Sequence, residues 1–577
     1  MTAWWLRDQA RLRTEKEAIE ALRDRVGWLD DVEWSFDDAL RIQVIFDIRL
    51  DHAIHQLRLV YHNSFPSSPP GVAPTATERL SGHQYGQDGD LCLEIRPDNW
   101  LPHYTGANMI ESAFNLLSLE APQEHGEVTP APSAHNVPET LLLRSAVRRF
   151  YLTPAAMETL LQKVPDGAEA SLSLHFCGDR PVVLHLLKLQ SGDWNWTSPD
   201  APPALAIDGY VQKGIVVRTS RPASDFDVVR TAYDLFGEID TDIGETKGPF
   251  VILMVCDDHD ILLFRIASDD TDLSRYKVIL QPEELGHRSG ESYDILAGKR
   301  VGVVGLGSLG AKIAVSLCRS GVGRFDLVDA DILHGGNLER HDGDWRDVGL
   351  HKADGLTRRL RLISPVVEVR AWFTEIGAQV STSEAGNVNG ALSACNVIID
   401  ATGNPECFNH LTGLVLREDG TLVWGGVFAG GIGGHVGRSR PAKDPNPFII
   451  RAGLNEFYAE VDKPPPETGD AEYDGFADGT PLIAFDADAI CIAAHMTALA
   501  IDALIEREPT EYTAHAYLIG LKRAWIFDGP FDVRPFVIDA PIRVTSSPSS
   551  ENQVEKDFID TLFQKKLHEI ANRSADN

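Results

Sequence analysis

Between Lys299 and Asp331 the chain reads KRVGVVGLGSLGAKIAVSLCRSGVGRFDLVDAD. Gly305, Gly307 and Gly310 have the spacing that lets a backbone turn approach a phosphate at a helix N-terminus. Asp329, roughly 20 residues further on, can take the hydroxyls of a ribose. Positions 301–304 form a short apolar run that reads as a buried strand, and a helical pattern comes next with Ala314, Leu317 and Cys318 on its apolar side. Positions 325–328 read as the next strand, closed by Asp329. The unit is strand, glycine turn, helix, strand and acid, which is a nucleotide-binding arrangement. By itself it equally fits an NAD-dependent oxidoreductase.

The residues beyond Asp331 separate the two. Asn337-Leu338-Glu339-Arg340-His341 comes first, then Gly349-Leu350-His351-Lys352, and later Ile398-Ile399-Asp400-Ala401-Thr402-Gly403-Asn404. The series resembles the ThiF-type adenylating domain of ubiquitin-activating enzymes and of the bacterial thiamine and molybdopterin sulfur-carrier adenylyltransferases. The resemblance implies a Rossmann-like domain that uses ATP and Mg to turn a carboxylate into an acyl-adenylate. In that reading Gly305, Gly307 and Gly310 shape the nucleotide loop, Asp329 holds the ribose, and Asp331 stands beside it. Asn337, Arg340 and Lys352 serve the phosphates, where charge builds in the transition state. The family holds its metal through the second acid of D-x-T-D-N. Here Gly403 stands at that position, so Asp400 is the acid left to help place Mg. The resemblance also implies a homodimer.

A second resemblance lies near the N-terminus. Residues 1 to about 25 read as a charge-rich amphipathic helix, and 41–50 and 55–61 as strands of an antiparallel meander. Then come Tyr61-His62-Asn63-Ser64-Phe65-Pro66-Ser67-Ser68-Pro69-Pro70, His83-Gln84-Tyr85, Gly89-Asp90-Leu91-Cys92-Leu93, Asn99-Trp100-Leu101-Pro102 and a helix over 106–119. This order resembles a ubiquitin-conjugating domain, and Cys92 falls where that family keeps its thioester cysteine. A thiolate attacks acyl donors well and leaves well. The family's His-Pro-Asn is replaced by His83-Gln84-Tyr85, so the usual oxyanion-supporting Asn is missing, and Asn99 or His103 are its possible substitutes. Activating enzymes often carry a second thioester cysteine. Between Cys407 and Cys491 there is no cysteine, so Cys491 is the nearest candidate, although its place early in an apolar helix running to about Leu504 reads as core. The glycine-dense stretch 425–437 reads either as a substrate-facing turn or as a flexible loop.

With 577 residues the chain has room for about three or four domains. The expected fold class is multidomain α/β: a ubiquitin-conjugating-like α+β domain (1–120), a linker (121–140), a mixed α/β connecting domain without a chemical motif (141–288), the ThiF-type domain (289–545) and a tail (546–577). A net charge of −32 argues against phosphate-backbone binding, so nucleic acid is not an expected partner. The cysteines, Cys92, Cys177, Cys256, Cys318, Cys395, Cys407 and Cys491, include no C-x-x-C pair and no structural zinc spacing. No apolar run approaches the roughly 20 residues that span a bilayer and no signal peptide is evident, so the chain reads as cytoplasmic.

Taken whole, the sequence resembles bacterial fusions of a conjugating-like to an activating-like domain, such as the ubiquitin-transferase-like proteins of CBASS antiphage operons. That resemblance implies that the C-terminal glycine of a ubiquitin-like or CD-NTase-like protein is joined to a target lysine in antiphage defence. An inactive conjugating-like fold that only docks a carrier is the competing non-enzymatic reading.

Overall fold

The computed structural model describes residues 3–50, 53–76, 80–81, 84–85, 89–120, 147–177, 180–239, 249–267, 273–281, 290–377, 382–461, 476–477, 480–481, 484–543 and 561–566. His83, the expected linker, the expected boundary at 288 and most of the expected tail lie outside the described residues. The chain divides into two compact units, Met1–Arg149 and Phe150–Asn577.

In the first unit, β1 (Leu29–Phe36), β2 (Ile42–Arg49), β3 (Ile54–Val60) and β4 (Gly71–Pro74) form an antiparallel sheet in sequential order. Ile42, Val44, Phe46 and Ile48 alternate onto the buried face of β2. They pack with helices Gln9–Arg25 and Gly106–Leu119 in one core. The expected single N-terminal helix is broken at Asp8, whose carboxylate accepts from Arg11 N–H and starts the longer helix. Glu15, fully buried, ties this helix to the rest. One of its oxygens accepts from Tyr61 Oη at 2.8 Å and from Gly106 N at 2.6 Å, and the other pairs with Arg11. The small strands β5 (Gln84–Tyr85) and β6 (Asp90–Leu91) pair just before Cys92.

From the unit boundary onward the chain supplies β7 (Arg149–Leu152), β8 (Glu169–Cys177), β9 (Arg180–Ser191), β10 (Trp194–Thr197), β11 (Tyr210–Arg218), β12 (Phe250–Val255), β13 (Ile261–Ile266) and β14 (Leu273–Leu280). They hydrogen-bond in the order β10-β9-β7-β14-β13-β12-β11-β8, and β8 also pairs with β9, so the sheet closes on itself. Separate apolar clusters around Leu172 and Leu263, and around Phe226 and Phe264, make up its core.

The remaining sheet holds β15 (Arg300–Val304), β16 (Arg324–Val328), β17 (Glu368–Trp372), β18 (Val397–Asp400), β19 (Thr421–Val427) and β20 (Gly433–Ser439). A two-residue pair, β21 (Phe476–Ala477) and β22 (Thr480–Pro481), stands apart. The sheet ends with β23 (Ala516–Gly520) and β24 (Asp532–Phe536). The order is β17-β16-β15-β18-β19-β20-β23-β24, parallel through β19 and antiparallel beyond. Val301, Val303 and Val304 are buried, as a central parallel strand covered on both faces requires.

The structure corrects several expectations. The stretch 425–437 is neither a loop nor an open turn but the β19–β20 hairpin around a turn at Ala429–Gly431. Its glycines are packing surfaces: a Cβ on Gly434 would lie 2.7 Å from Ile492, one on Gly425 2.8 Å from Met496, and one on Gly437 2.5 Å from Trp424. Helix Asp486–Leu504 therefore presses directly onto the hairpin. Among the described residues this helix is long and apolar enough to cross a membrane, contrary to the sequence expectation, and its apolar face is spent on this packing.

Candidate active site

The C-terminal ends of β15, β16 and β17 and the loop after β18 surround a cleft of about 470 Å3, within the usual size of a small-molecule site. Gly305, Gly307, Asp329, Asp331, Asn337, Arg340 and Lys352 all line it. Gly305 has φ +81°, and a Cβ there would lie 2.7 Å from Thr402 Cγ2. A Cβ on Gly310 would lie 1.8 Å from the Gly305 carbonyl oxygen, so the helix Gly310–Arg319 starts against the turn itself. Gly307 faces open space, which leaves its backbone exposed to the cleft.

Asp329 holds this turn closed. Its carboxylate accepts from Leu306 N at 2.7 Å and from Asp331 N at 2.8 Å. Lys352 is only 13% exposed at its side chain and pairs with Asp331 at 2.7 Å. The Asn337 side chain accepts from His334 N, and the Asn337 carbonyl accepts from Arg340 N and His341 N. The tight turn that results presents Arg340 to the cleft. His341 fastens this loop to the glycine turn: Gly343 N donates to its Nδ1, so its Nε2 proton faces the Leu306 carbonyl at 2.8 Å. Burial lowers the pKa of this imidazole, opposed by the Leu306 hydrogen bond and helped by the nearby Lys352 and Lys312.

Not every expected group is here. Asp400 does not line the cleft. It is 4% exposed, and its Oδ1 accepts from Thr402 N at 3.0 Å and Thr402 Oγ1 at 2.6 Å. Burial raises its pKa. As a magnesium ligand it is therefore poorly placed, because its carboxylate is turned into the turn that precedes helix Pro405–Arg417. The acids that do face the cleft are Asp329, Asp331 and Glu375, and the first two are already engaged. No group of three metal-ligating side chains occurs among the described residues, so this donor set does not build a magnesium site without oxygens from a ligand.

The sequence did not point to His341, Thr374, Glu375 or Thr402 as lining residues. Thr374 and Glu375 follow β17, whose place beside β16 only the sheet order reveals. Cys407 also lines the cleft, but burial pushes its thiol up to about 12.

Neither of the two candidate thioester cysteines is among the residues lining the cleft. Cys491 is exposed, not core. Helix Asp486–Leu504 turns Ala489, Ile492, Ala493 and Met496 inward, and the 3.6-residue period carries Cys491 to the other side. In the first unit Cys92 is half-buried; burial raises its pKa and Arg96 partly offsets this. Of the proposed substitutes for the missing Asn, Asn99 is occupied, accepting from Arg96 N at 2.6 Å and donating to the Glu94 carbonyl at 2.9 Å, whereas His103 is exposed.

Residues 283–475 match the ThiF family. The ATP-dependent ubiquitin transferase-like protein Cap2 of Enterobacter hormaechei subsp. hoffmannii is 35% identical over 134 residues, which is 23% of this chain and 22% of that protein. The SAMP-activating enzyme E1 of Haloferax volcanii is 33% identical over 167 residues, 28% of this chain and 57% of that protein. The alignment thus spans about a fifth of the length of the Enterobacter relative. E. coli MccB solved with ATP overlays 44% of this chain and 68% of its own at 16% identity, with a TM-score of 0.32. The cleft lies inside the matched segment, and residues 283–475 are a ThiF-family domain in a chain that resembles the Cap2 transferase-like proteins.

Proposed function

We propose that this cleft activates the C-terminal carboxylate of a ubiquitin-like or similar protein as an acyl-adenylate and that the acyl group passes to Cys92 before reaching a target amine. The observation that carries the reading is that the glycine turn, Asp329, Arg340 and Lys352 line one cleft of nucleotide size. Adenylation gives the last two a task, because negative charge develops on a departing pyrophosphate.

A carboxylate oxygen attacks the α-phosphorus of ATP, the bond to the β-phosphate breaks, and pyrophosphate leaves. The backbone of Gly307 and Ser308, just ahead of helix Gly310–Arg319, receives phosphate oxygens, and Arg340 and Lys352 take up the growing charge. A thiolate then attacks the acyl carbon and AMP departs. An amine finally attacks the thioester and the thiolate leaves. Because the Cys92 thiol is held above its ordinary pKa, its loading should accelerate with rising pH. Cys491, exposed on its helix, is available as an intermediate thioester carrier. The names of the Cap2 and SAMP-activating relatives support a conjugation chemistry of this kind, and a role in antiphage defence is part of the same proposal. A homodimer built on the ThiF domain belongs to the same reading.

Intact-protein mass spectrometry after incubation with MgATP and a carrier tests it, with Cys92→Ala and Cys491→Ala as controls. The expected result is a hydroxylamine-labile carrier adduct lost in Cys92→Ala. AMP release without any adduct would confine the chemistry to adenylation and leave the first unit as a carrier-docking module.

A further inference from the structure

Lys312 is the third residue of helix Gly310–Arg319 and stands in its first turn, where the helix dipole disfavours a cation. Its side chain is nevertheless only 10% exposed. The ammonium donates to the Arg340 carbonyl oxygen at 2.9 Å and pairs with Asp486 Oδ1 at 2.7 Å. Asp486 opens helix Asp486–Leu504, where an acid is favoured. Lys312 does not line the cleft. One buried charge thus joins the phosphate-facing helix, the loop that carries Arg340 and the start of the helix that carries Cys491.

We propose that Lys312 is a positioning residue for Arg340, fixing the Arg340 backbone to the phosphate-facing helix with Asp486 as its counter-charge. The loop is otherwise fastened on this side by the next residue, through His341 to the Leu306 carbonyl. The Arg340 N–H, which donates to the Asn337 carbonyl, and the Arg340 carbonyl, which accepts from Lys312, fix the two peptide units flanking the Arg340 Cα, so the guanidinium enters the cleft from a fixed base. Without Lys312 the Arg340 carbonyl loses its charged partner, and Arg340 loses the placement that a charge-stabilising group needs to within a fraction of an ångström. The inference rests on the adenylating reading above, because it gives Arg340 its phosphate-binding role.

The test is MgATP affinity, measured by titration calorimetry on the full chain. The variants are Lys312→Met, Lys312→Arg, Asp486→Asn, Arg340→Ala and the double variant Lys312→Met/Arg340→Ala. A residue acting through Arg340 predicts that Lys312→Met weakens MgATP by about tenfold and that the double variant is no weaker than Arg340→Ala. Lys312→Arg, which can still donate to the carbonyl, should recover much of the affinity, and Asp486→Asn should cost less than Lys312→Met. A purely structural role would give a lowered melting temperature with unchanged MgATP affinity, or losses in the double variant that simply add; either result overturns the proposal. If Lys312→Met does not fold, Lys312→Arg and Asp486→Asn carry the same comparison against Arg340→Ala. A wild-type chain that fails to bind MgATP would overturn the adenylating reading and this inference with it, whereas wild-type binding with unaltered Lys312 variants overturns this inference alone.

Discussion

Gly307 and Gly310 belong to one turn and one sequence pattern, yet their surroundings demand different things. A methyl group at Gly310 would meet the Gly305 carbonyl oxygen at 1.8 Å, a backbone contact that nothing flexible can relieve. At Gly307 it would meet nothing within 4 Å, but it would stand in the cleft. Gly310→Ala should therefore destabilise the ThiF domain by several kcal/mol, on the order of the larger single-residue effects. Gly307→Ala should leave the melting temperature within about 2 °C of wild type while weakening MgATP by roughly tenfold, since backbone approach to a phosphate is what that glycine permits. Thermal melts and ATP titrations on both variants check this, and the opposite pattern would mean that the cleft is not where the phosphates bind. His341 is a residue whose part emerged only from its contacts: one place after Arg340, it is the clasp between two loops.

The β19–β20 hairpin shows how an element can be misread when its residues are taken singly. Its glycines signal flexibility in a sequence, whereas in the sheet they allow Ile492, Met496 and Trp424 to press onto bare backbone. Within the hairpin His435 packs beside Phe428, with ring centroids 5.7 Å apart, and its Nδ1 is buried without a hydrogen-bond partner. Burial, followed by the charge of Arg451, lowers its pKa from 6.5 to about 4. In the unfolded chain the ring takes up its proton near pH 6.5, and in the folded chain it resists doing so until about pH 4. The stability due to the neutral ring is thus complete above about pH 6.5 and is lost as the pH falls toward 4. From 1.36 kcal/mol per pKa unit, the loss at pH 4.5 is about 2 to 3 kcal/mol. Denaturant unfolding at pH 7 and pH 4.5 should show a smaller acid-induced loss in His435→Phe than in wild type. An equal loss would mean that the ring is not protected from protonation.

At the scale of the whole molecule, the Met1–Arg149 unit has its own core around Val44, Phe46, Leu57 and Ile110, and the ThiF-family segment has cores on both sides of its sheet. Units with separate cores melt as separate cooperative blocks. Calorimetry on the full chain should resolve a transition for the first unit that MgATP leaves in place, and a later or earlier one that MgATP raises by a few degrees at saturating nucleotide. If both transitions moved together with MgATP, the units would be energetically coupled and could not be treated as separate blocks.

The glycine spacing, the strands at β2, β3, β15 and β16 and the order Asp329, Asn337, Arg340, Lys352 could be read from the chain because they are local. An alternating or buried apolar run and a glycine turn are written within a dozen residues. For the same reason Gly305, Gly307, Asp329, Asp331, Asn337, Arg340 and Lys352, which the linear pattern marks, are among the residues that line the cleft. Which acid faces a ligand is not local. Asp400 has the right position in the pattern, yet the Thr402 hydrogen bonds turn it away from the cleft, while Glu375, with no motif to mark it, arrives there because β17 pairs with β16. The exposure of Cys491 likewise depends on which face of helix Asp486–Leu504 meets the hairpin. The joining of Lys312 to Arg340 and Asp486 spans residues 28 and 174 positions apart in sequence. Such contacts depend on how distant elements pack, and only the tertiary structure decides them.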